Sequence, residues 1–194
     1  MKIVFATNNA HKLREARELA GDRIEILSLA DIGCHEELPE TKPDIEGNSL
    51  QKAEYVYQTY GYDCISDDTG LFVDSLEGRP GVKSARYAGE GCRPEDNIAK
   101  LLREMAGKTD RKARFRTVVT LISGGNPKQF EGIVEGSIAE TLSGTSGFGY
   151  DPIFIAEESG ESFASMTAEA KNAISHRGRA MRKLFEYLDT VAQK

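Results

Sequence analysis

An α/β architecture with a mixed sheet is expected of this chain, on three grounds. Up to Tyr60, short apolar runs of strand length alternate with segments of helical period. Further on, two β-rich runs, Arg114 to Ile122 and Gln129 to Glu140, are joined directly through Ser-Gly-Gly-Asn-Pro, the signature of a hairpin. The chain has 194 residues, 39% hydrophobic and 29% charged, the size and composition of one globular domain able to bury a core.

The elements follow in order. Lys2 to Thr7 reads as a buried strand. A helix starts near Asn9, carries Leu13, Ala16 and Leu19 or Ala20 on one face, and stops at Gly21. Ile24 to Leu29 is a second strand, and residues 30–45, with Pro39 and Pro43, are irregular. Gly47 to Tyr60 patterns as a helix through Leu50, Ala53, Val56 and Tyr57, with Asn48 or Ser49 as its cap and Gly61 at its end. Residues 64–73 read as strand, acidic break, strand. A helix with Pro94 in its first turn turns Ile98, Leu101, Leu102 and Met105 inward and ends before Gly107. After the hairpin come a glycine-rich loop, a short strand at Ile153 to Ile155, and a C-terminal helix that Ser175 can cap, with Ala180, Leu184 and Leu188 inward. No repeat or low-complexity linker interrupts the pattern, so residues 1–194 are expected to form a single domain.

The formal charge of −6 argues against broad binding to nucleic acid or an anionic membrane. No apolar run approaches the roughly 20 residues of a spanning helix. The opening Met-Lys-Ile-Val-Phe reads as strand rather than signal peptide. Cys34, Cys64 and Cys92 are odd in number and widely spaced, which suits reduced thiols in the cytoplasm.

Four polar segments do not serve simple packing. In Thr7-Asn8-Asn9-Ala10-His11-Lys12 the first strand meets the first helix, whose N-terminal amides and dipole make an anion site. The same residues also suit a plain N-cap with a solvated lysine. Around Glu40 and Lys52, an acid precedes a helix that carries a lysine one turn inside; reach to a phosphate is open, and so is a surface role for Glu40. Asp67 and Asp68 follow an apolar run, where like charges repel and resist desolvation. A hard cation such as Mg²⁺ takes carboxylate oxygens and removes that objection; a solvated turn is the other reading. In Ser143 to Pro152 the glycines are spaced in the reverse of the dinucleotide fingerprint, but Phe148 and Tyr150 can offer an aromatic face to a flat ligand. Lys171, His176 and Arg177 follow close together, and a basic first turn opposes the helix dipole, so a use is expected of it.

Taken in order, "TNNAHK", "ETKPDIEGNSLQKA", "SDDTGLFVDSLEGRPGVKSARYAG", "GTSGFGYDPIF" and "EAKNAISHRGRA" resemble the motifs of the inosine/xanthosine triphosphate pyrophosphatase (Ham1-like) family, over Ile3 to about Leu188. The resemblance implies an elongated mixed β-sheet flanked by helices, two lobes with the active site in the cleft, and a homodimer. It also implies Mg²⁺-dependent hydrolysis of ITP, dITP and XTP to the monophosphate and pyrophosphate. By the same resemblance Asp68 is the proton acceptor and a metal ligand, Glu40 a second ligand, and Asp67 a further acid at the metal. Thr7 to Lys12 and Lys52 match phosphate-contacting positions, Thr69 a substrate-contacting hydroxyl, and Phe148, Gly149, Tyr150, Asp151, Lys171, His176 and Arg177 the base pocket. Cationic donors such as Lys171 and Arg177 suit the C6 carbonyl of hypoxanthine and xanthine and oppose the amino group of adenine. Two departures stand out. Asn8 replaces the usual glycine after the first threonine, and Lys42-Pro43 and Gly47 replace a glycine turn and an acid of the family pattern. A pyrophosphatase for other modified nucleotides and a non-catalytic nucleotide sensor are the alternatives.

Overall fold

Successive side chains of the first strand, β1 (Lys2–Phe5), enter different cores, and this alternation organises the first half of the structure. The structure is a computed structural model and describes residues 1–192. The further strands are β2 (Glu25–Leu27), β3 (Cys64–Val73), β4 (Pro80–Gly81), β5 (Lys112–Ser123), β6 (Asn126–Ile138) and β7 (Phe154–Ala156). They form one seven-stranded sheet in the order β2-β1-β3-β5-β6-β7, with β4 on β3. Strand β1 pairs in parallel with β2 and β3, while β3–β4 and β6–β7 are antiparallel, so the sheet is mixed as expected. Parallel neighbours need crossovers, and α1 (Ala10–Ala20) and α2 (Ile45–Tyr60) supply them.

Two compact units divide the chain. Unit 1 comprises Met1–Asp68, Thr117–Gly132 and the chain from Arg177; unit 2 comprises Thr69–Arg116 and Ile133–His176. In unit 1, Ile3 and Phe5 pack with Ile26, Ile65, Val119 and Leu121, with Ala16 and Ala20 of α1, and with Ala180, Met181, Leu184 and Leu188 of α5 (His176–Ala192). Val4 and Ala6 point the other way, onto Ala53 and Val56 of α2 and onto Cys34, Cys64 and Ile122. Apolar cover on both faces explains why β1 reads as a continuous apolar run. Unit 2 packs Leu71, Val73, Phe115, Val134 and Ile138 against Ile98 and Leu101 of α3 (Pro94–Glu104) and against Met105, which caps its C-terminus, with Phe154 and Phe163 completing the core. A short helix, α4 (Ala168–Ile174), precedes α5.

Four expectations about local structure are corrected. Strand β3 runs unbroken from Cys64 to Val73, because cations neutralise Asp67 and Asp68 and the acids have no reason to end it. Helix α2 begins two residues earlier than expected and is capped by Asp44, whose Oδ1 accepts from the Gly47 amide at 2.7 Å; Asn48 and Ser49 lie inside it. The hairpin turn is tighter, with only Gly124 and Gly125 between the strands, both at positive φ (56° and 81°), the conformation that gives a two-residue turn the twist of its strands. Finally, Asp151–Ile153 forms a 3-10 turn and displaces β7 by one residue. Among the described residues no helix is long and apolar enough to cross a membrane.

Candidate active site

In unit 1, Asp67 and Asp68 alternate across β3 and meet different partners. Asp67 is fully buried. Its Oδ1 accepts from Lys12 Nζ at 2.9 Å and its Oδ2 from Arg177 Nε at 2.9 Å. Burial alone would raise its pKa, but Lys12 and Arg177, aided by Lys52, outweigh it and hold the carboxyl well below the usual range. Arg177, in the first turn of α5, also donates through Nη1 to Glu15 of α1, and these two acids hold its guanidinium charged against the cost of burial. Asp67 and Glu15 supply the negative charge that the helix dipole denies a basic residue at a helix start. The Lys12 pKa is lowered, first by burial, then by Lys52 and Arg177 against the pull of Asp67.

Asp68 faces the other way. Its Oδ1 lies 3.9 Å from Lys52 Nζ, and the same ammonium donates to Glu40 Oε1 at 2.5 Å. Burial raises the Asp68 pKa, and repulsion from Glu40 and Asp67 adds to the rise against the pull of Lys52 and Lys12. Burial alone would lower that of Lys52, but Asp68 and Glu40 reverse the sign and it is raised. Two carboxylates thus share one cation, with Glu40 more open to solvent (28%) than Asp68 (12%). Among the described residues no three His, Cys, Asp or Glu side chains converge as a metal cage. A pair of carboxylates nonetheless fits Mg²⁺, which is commonly bound through one or two carboxylates plus substrate phosphates and water. Asp67, with both oxygens already on cations, is placed as an ion-pair hub.

The β1–α1 connection is more self-contained than an open anion site. Asn9 Oδ1 caps α1 by accepting from His11 N (2.9 Å) and Lys12 N (3.2 Å), Thr7 Oγ1 accepts from Asn9 N at 3.1 Å, and Ala10 opens the helix. Asn8, in place of the family's glycine, donates through Nδ2 to Glu36 O at 3.3 Å. Of the plainer reading the cap is seen at Asn9, while Lys12 reaches the buried acid rather than bulk solvent.

Unit 2 gathers a second polar group. Asp151 Oδ2 accepts from Lys171 Nζ at 2.7 Å and from Phe148 N at 2.9 Å, and the Lys171 ammonium lies 4.9 Å from the Phe148 ring centroid. Gly147 and Gly149 have φ of 75° and 60°, and a Cβ on Gly147 would fall 2.1 Å from Asp151 Oδ2, so glycine is required where the loop wraps that carboxylate. His176 is buried and stacks on Phe115, with ring centroids 4.5 Å apart. Tyr150 departs from its expected part as an aromatic face. It is buried in the unit 2 core and its hydroxyl donates to Ser84 O at 2.7 Å, which leaves the half-buried Phe148 as the accessible ring of the loop. Thr69, half-buried, follows Asp68 on β3. Next to it Gly70 is a place of close approach, since a Cβ there would meet Gly81 O at 2.8 Å.

Sequence reasoning missed Glu15, which flanks the inward stripe of α1 beside Ala16 and reads as an ordinary surface acid. It also missed a buried hydroxyl seam between α2, β3 and β5. Ser49 Oγ contacts Thr120 Oγ1 at 2.7 Å and Ser66 Oγ at 3.1 Å, fixing the register of the helix bearing Lys52 on the strand bearing Asp68. The available signal was a run of small polar residues (Ser49, Ser66, Thr120) at positions that face inward.

Comparison with known proteins gives consistent matches over nearly the whole chain. The model of the Ham1 family matches residues 3–187. A dITP/XTP pyrophosphatase of Flavobacterium johnsoniae is 51% identical over 188 residues, covering 97% of this chain and 98% of its own. Another dITP/XTP pyrophosphatase, from Christiangramia forsetii, is 53% identical over 188 residues, with 97% and 99% covered. Among solved structures, the Staphylococcus aureus Ham1 protein aligns with a TM-score of 0.88 at 35% identity, over 98% of this chain and 99% of its own.

Proposed function

This chain belongs to the Ham1 family, and from that membership we propose that it hydrolyses dITP, ITP and XTP to the monophosphate and pyrophosphate, clearing deaminated purines from the nucleotide pool. The observation that carries the proposal is the division of labour between neighbouring acids on β3. Asp67 is locked ionised by Lys12 and Arg177, while Asp68, with a raised pKa, shares Lys52 with Glu40.

Asp68 is the group that orients a water and takes its proton as the oxygen attacks the α-phosphorus. A carboxylate whose pKa is raised is a stronger base than a solvated one. Asp67 is unsuited to that part, since both its oxygens already accept hydrogen bonds from cations. Lys52 and Lys12 supply positive charge for the triphosphate and for the departing pyrophosphate, and the β1–α1 loop adds the positive end of a helix. Glu40 and Asp68 would hold Mg²⁺, which supplies electrophilic stabilisation of phosphate oxygens when bound. No serine or cysteine is placed as a nucleophile; positioning and electrostatics suffice for this class of transfer.

In unit 2, Lys171 would donate to the C6 carbonyl of the base, and Asp151 keeps that ammonium oriented. Phe148 supplies a ring for the base and His176 a second polar contact. A donor aimed at C6 rejects adenine, which presents an amino group there, and sites of this kind discriminate by up to about 10⁴–10⁵. Arg177 acts through Asp67 and Glu15. The enzyme is proposed to be cytoplasmic and homodimeric.

Pyrophosphate release from dITP, XTP and dATP tests the proposal. The wild type is expected to turn over the first two in the presence of Mg²⁺ and to leave dATP. Asp68→Asn should lower kcat by about 10²–10⁴, the range for losing a general base, with an unchanged circular dichroism spectrum. Near-normal turnover in that variant removes Asp68 from the role, and no release from dITP or XTP by the wild type rejects the activity.

A further inference from the structure

Glu40 belongs to residues 33–44, which contain neither helix nor strand. A long carboxylate on such a segment has no fixed position unless its main chain is tied down. Around Glu40 the segment is tied, and from Glu40 to Asp44 the ties go to α2. Asp44 Oδ1 accepts from Gly47 N at 2.7 Å, and Asn48 Oδ1 accepts from Lys42 N at 2.9 Å. Gln51 exchanges two hydrogen bonds with Thr41: its Oε1 accepts from Thr41 N and its Nε2 donates to Thr41 Oγ1, both at 2.9 Å. Lys52 then receives Glu40 itself at 2.5 Å. Residues 44, 48, 51 and 52 lie along one side of a helix, so the strap runs up α2 from Asp44 and delivers Glu40 to the ammonium. The two departures from the family pattern belong together here. A Cβ on Gly47 would come within 2.8 Å of Lys42 Cβ, so the larger residue at 42 fits because position 47 has no side chain.

We propose that Gln51 is a positioning residue: its paired bonds to Thr41 fix the main chain next to Glu40 and so hold the Glu40 carboxylate where it shares a cation with Asp68. The inference rests on the reading of Glu40 and Asp68 as ligands of a divalent ion. Gln51 is only half-buried, and its part lies in Thr41, the residue next to Glu40. Supporting partners of this kind typically govern metal affinity by 10–100-fold.

The test compares wild type, Gln51→Met and Gln51→Glu in two measurements. Met keeps the length and loses both bonds. Glu keeps an acceptor for Thr41 N and offers a second oxygen to the Thr41 hydroxyl. Amide exchange at Thr41 is followed in metal-free protein. Mn²⁺ binding is read from its free-ion EPR signal, with the α,β-methylene analogue of dITP present and the analogue alone as reference. Gln51→Met is expected to lose protection at Thr41 and to bind Mn²⁺ at least about 10-fold more weakly. Its Mg²⁺ requirement for dITP turnover should rise in step, with kcat at saturating Mg²⁺ unchanged. Gln51→Glu should recover protection and binding together. The inference is overturned if Gln51→Met loses protection yet binds Mn²⁺ as tightly as the wild type, or if protection at Thr41 survives the change. Failure of the wild type itself to bind Mn²⁺ sinks the metal reading, and that result is distinct because it appears before any substitution.

Discussion

Asp67 and Asp68 are adjacent in sequence and opposite in electrostatics, so one of them carries a stability prediction. The folded-state pKa of Asp67 lies well below the ordinary carboxyl value of about 3.9. Its ion pairs therefore contribute fully above that value, and the contribution is lost as pH falls toward the folded pKa. Asp67→Asn leaves Lys12 and Arg177 facing a neutral group, and breaking a buried pair in this way costs about 3–5 kcal/mol. Urea denaturation at pH 7 should show that loss, and the gap between variant and wild type should narrow at pH 3, where the unfolded wild-type chain takes up a proton that the folded carboxyl still refuses. A gap that stays constant between pH 7 and pH 3 contradicts the assignment. The importance of the acid pair was legible in the sequence from its apolar flanks. Its partners were not, because Lys12 lies 55 residues from Asp67 and Arg177 lies 110. Arg177 was expected in the base pocket by the family resemblance; its bond to Glu15, 162 residues away, was not legible along the chain.

Among the elements, helices with clean period and glycine stops were readable. Helices α1 and α2 do end at Gly21 and Gly61, and Gly107, at φ of 74°, lies just past α3. What failed were boundaries decided by contacts from elsewhere. The start of α2 was obscured because Asp44 looks like part of a Pro-Asp turn until its carboxylate is seen on Gly47 N. The break expected in β3 took no account of cationic side chains, and the countercharges come from α1, α2 and α5. Glycine in a strand interior also carries information here. Gly136 of β6 pairs with Ala156 of β7, and a Cβ at 136 would meet Ile155 O at 2.3 Å and Phe154 Cζ at 2.6 Å. Both are fixed atoms, backbone and a core ring, so Gly136→Ala is expected to destabilise by about 1–3 kcal/mol through overpacking and loosened β6–β7 pairing. Thermal denaturation checks this, and an unchanged Tm would show that β7 shifts freely.

For the molecule as a whole, the fold class was legible from the order of its elements, while the expectation of two lobes came from the family resemblance alone, because β3, β5 and β6 each change unit along their length. The proposed homodimer predicts a sedimenting mass twice the 21.3 kDa of the chain, and a mass of one chain at micromolar concentration rejects it. Cys34 and Cys64 are buried, and burial pushes the Cys64 thiol up to about 12, whereas Cys92 is exposed in unit 2. A maleimide dye or nitroxide should therefore attach at one position of the native chain without mutagenesis and offer a label for following nucleotide binding.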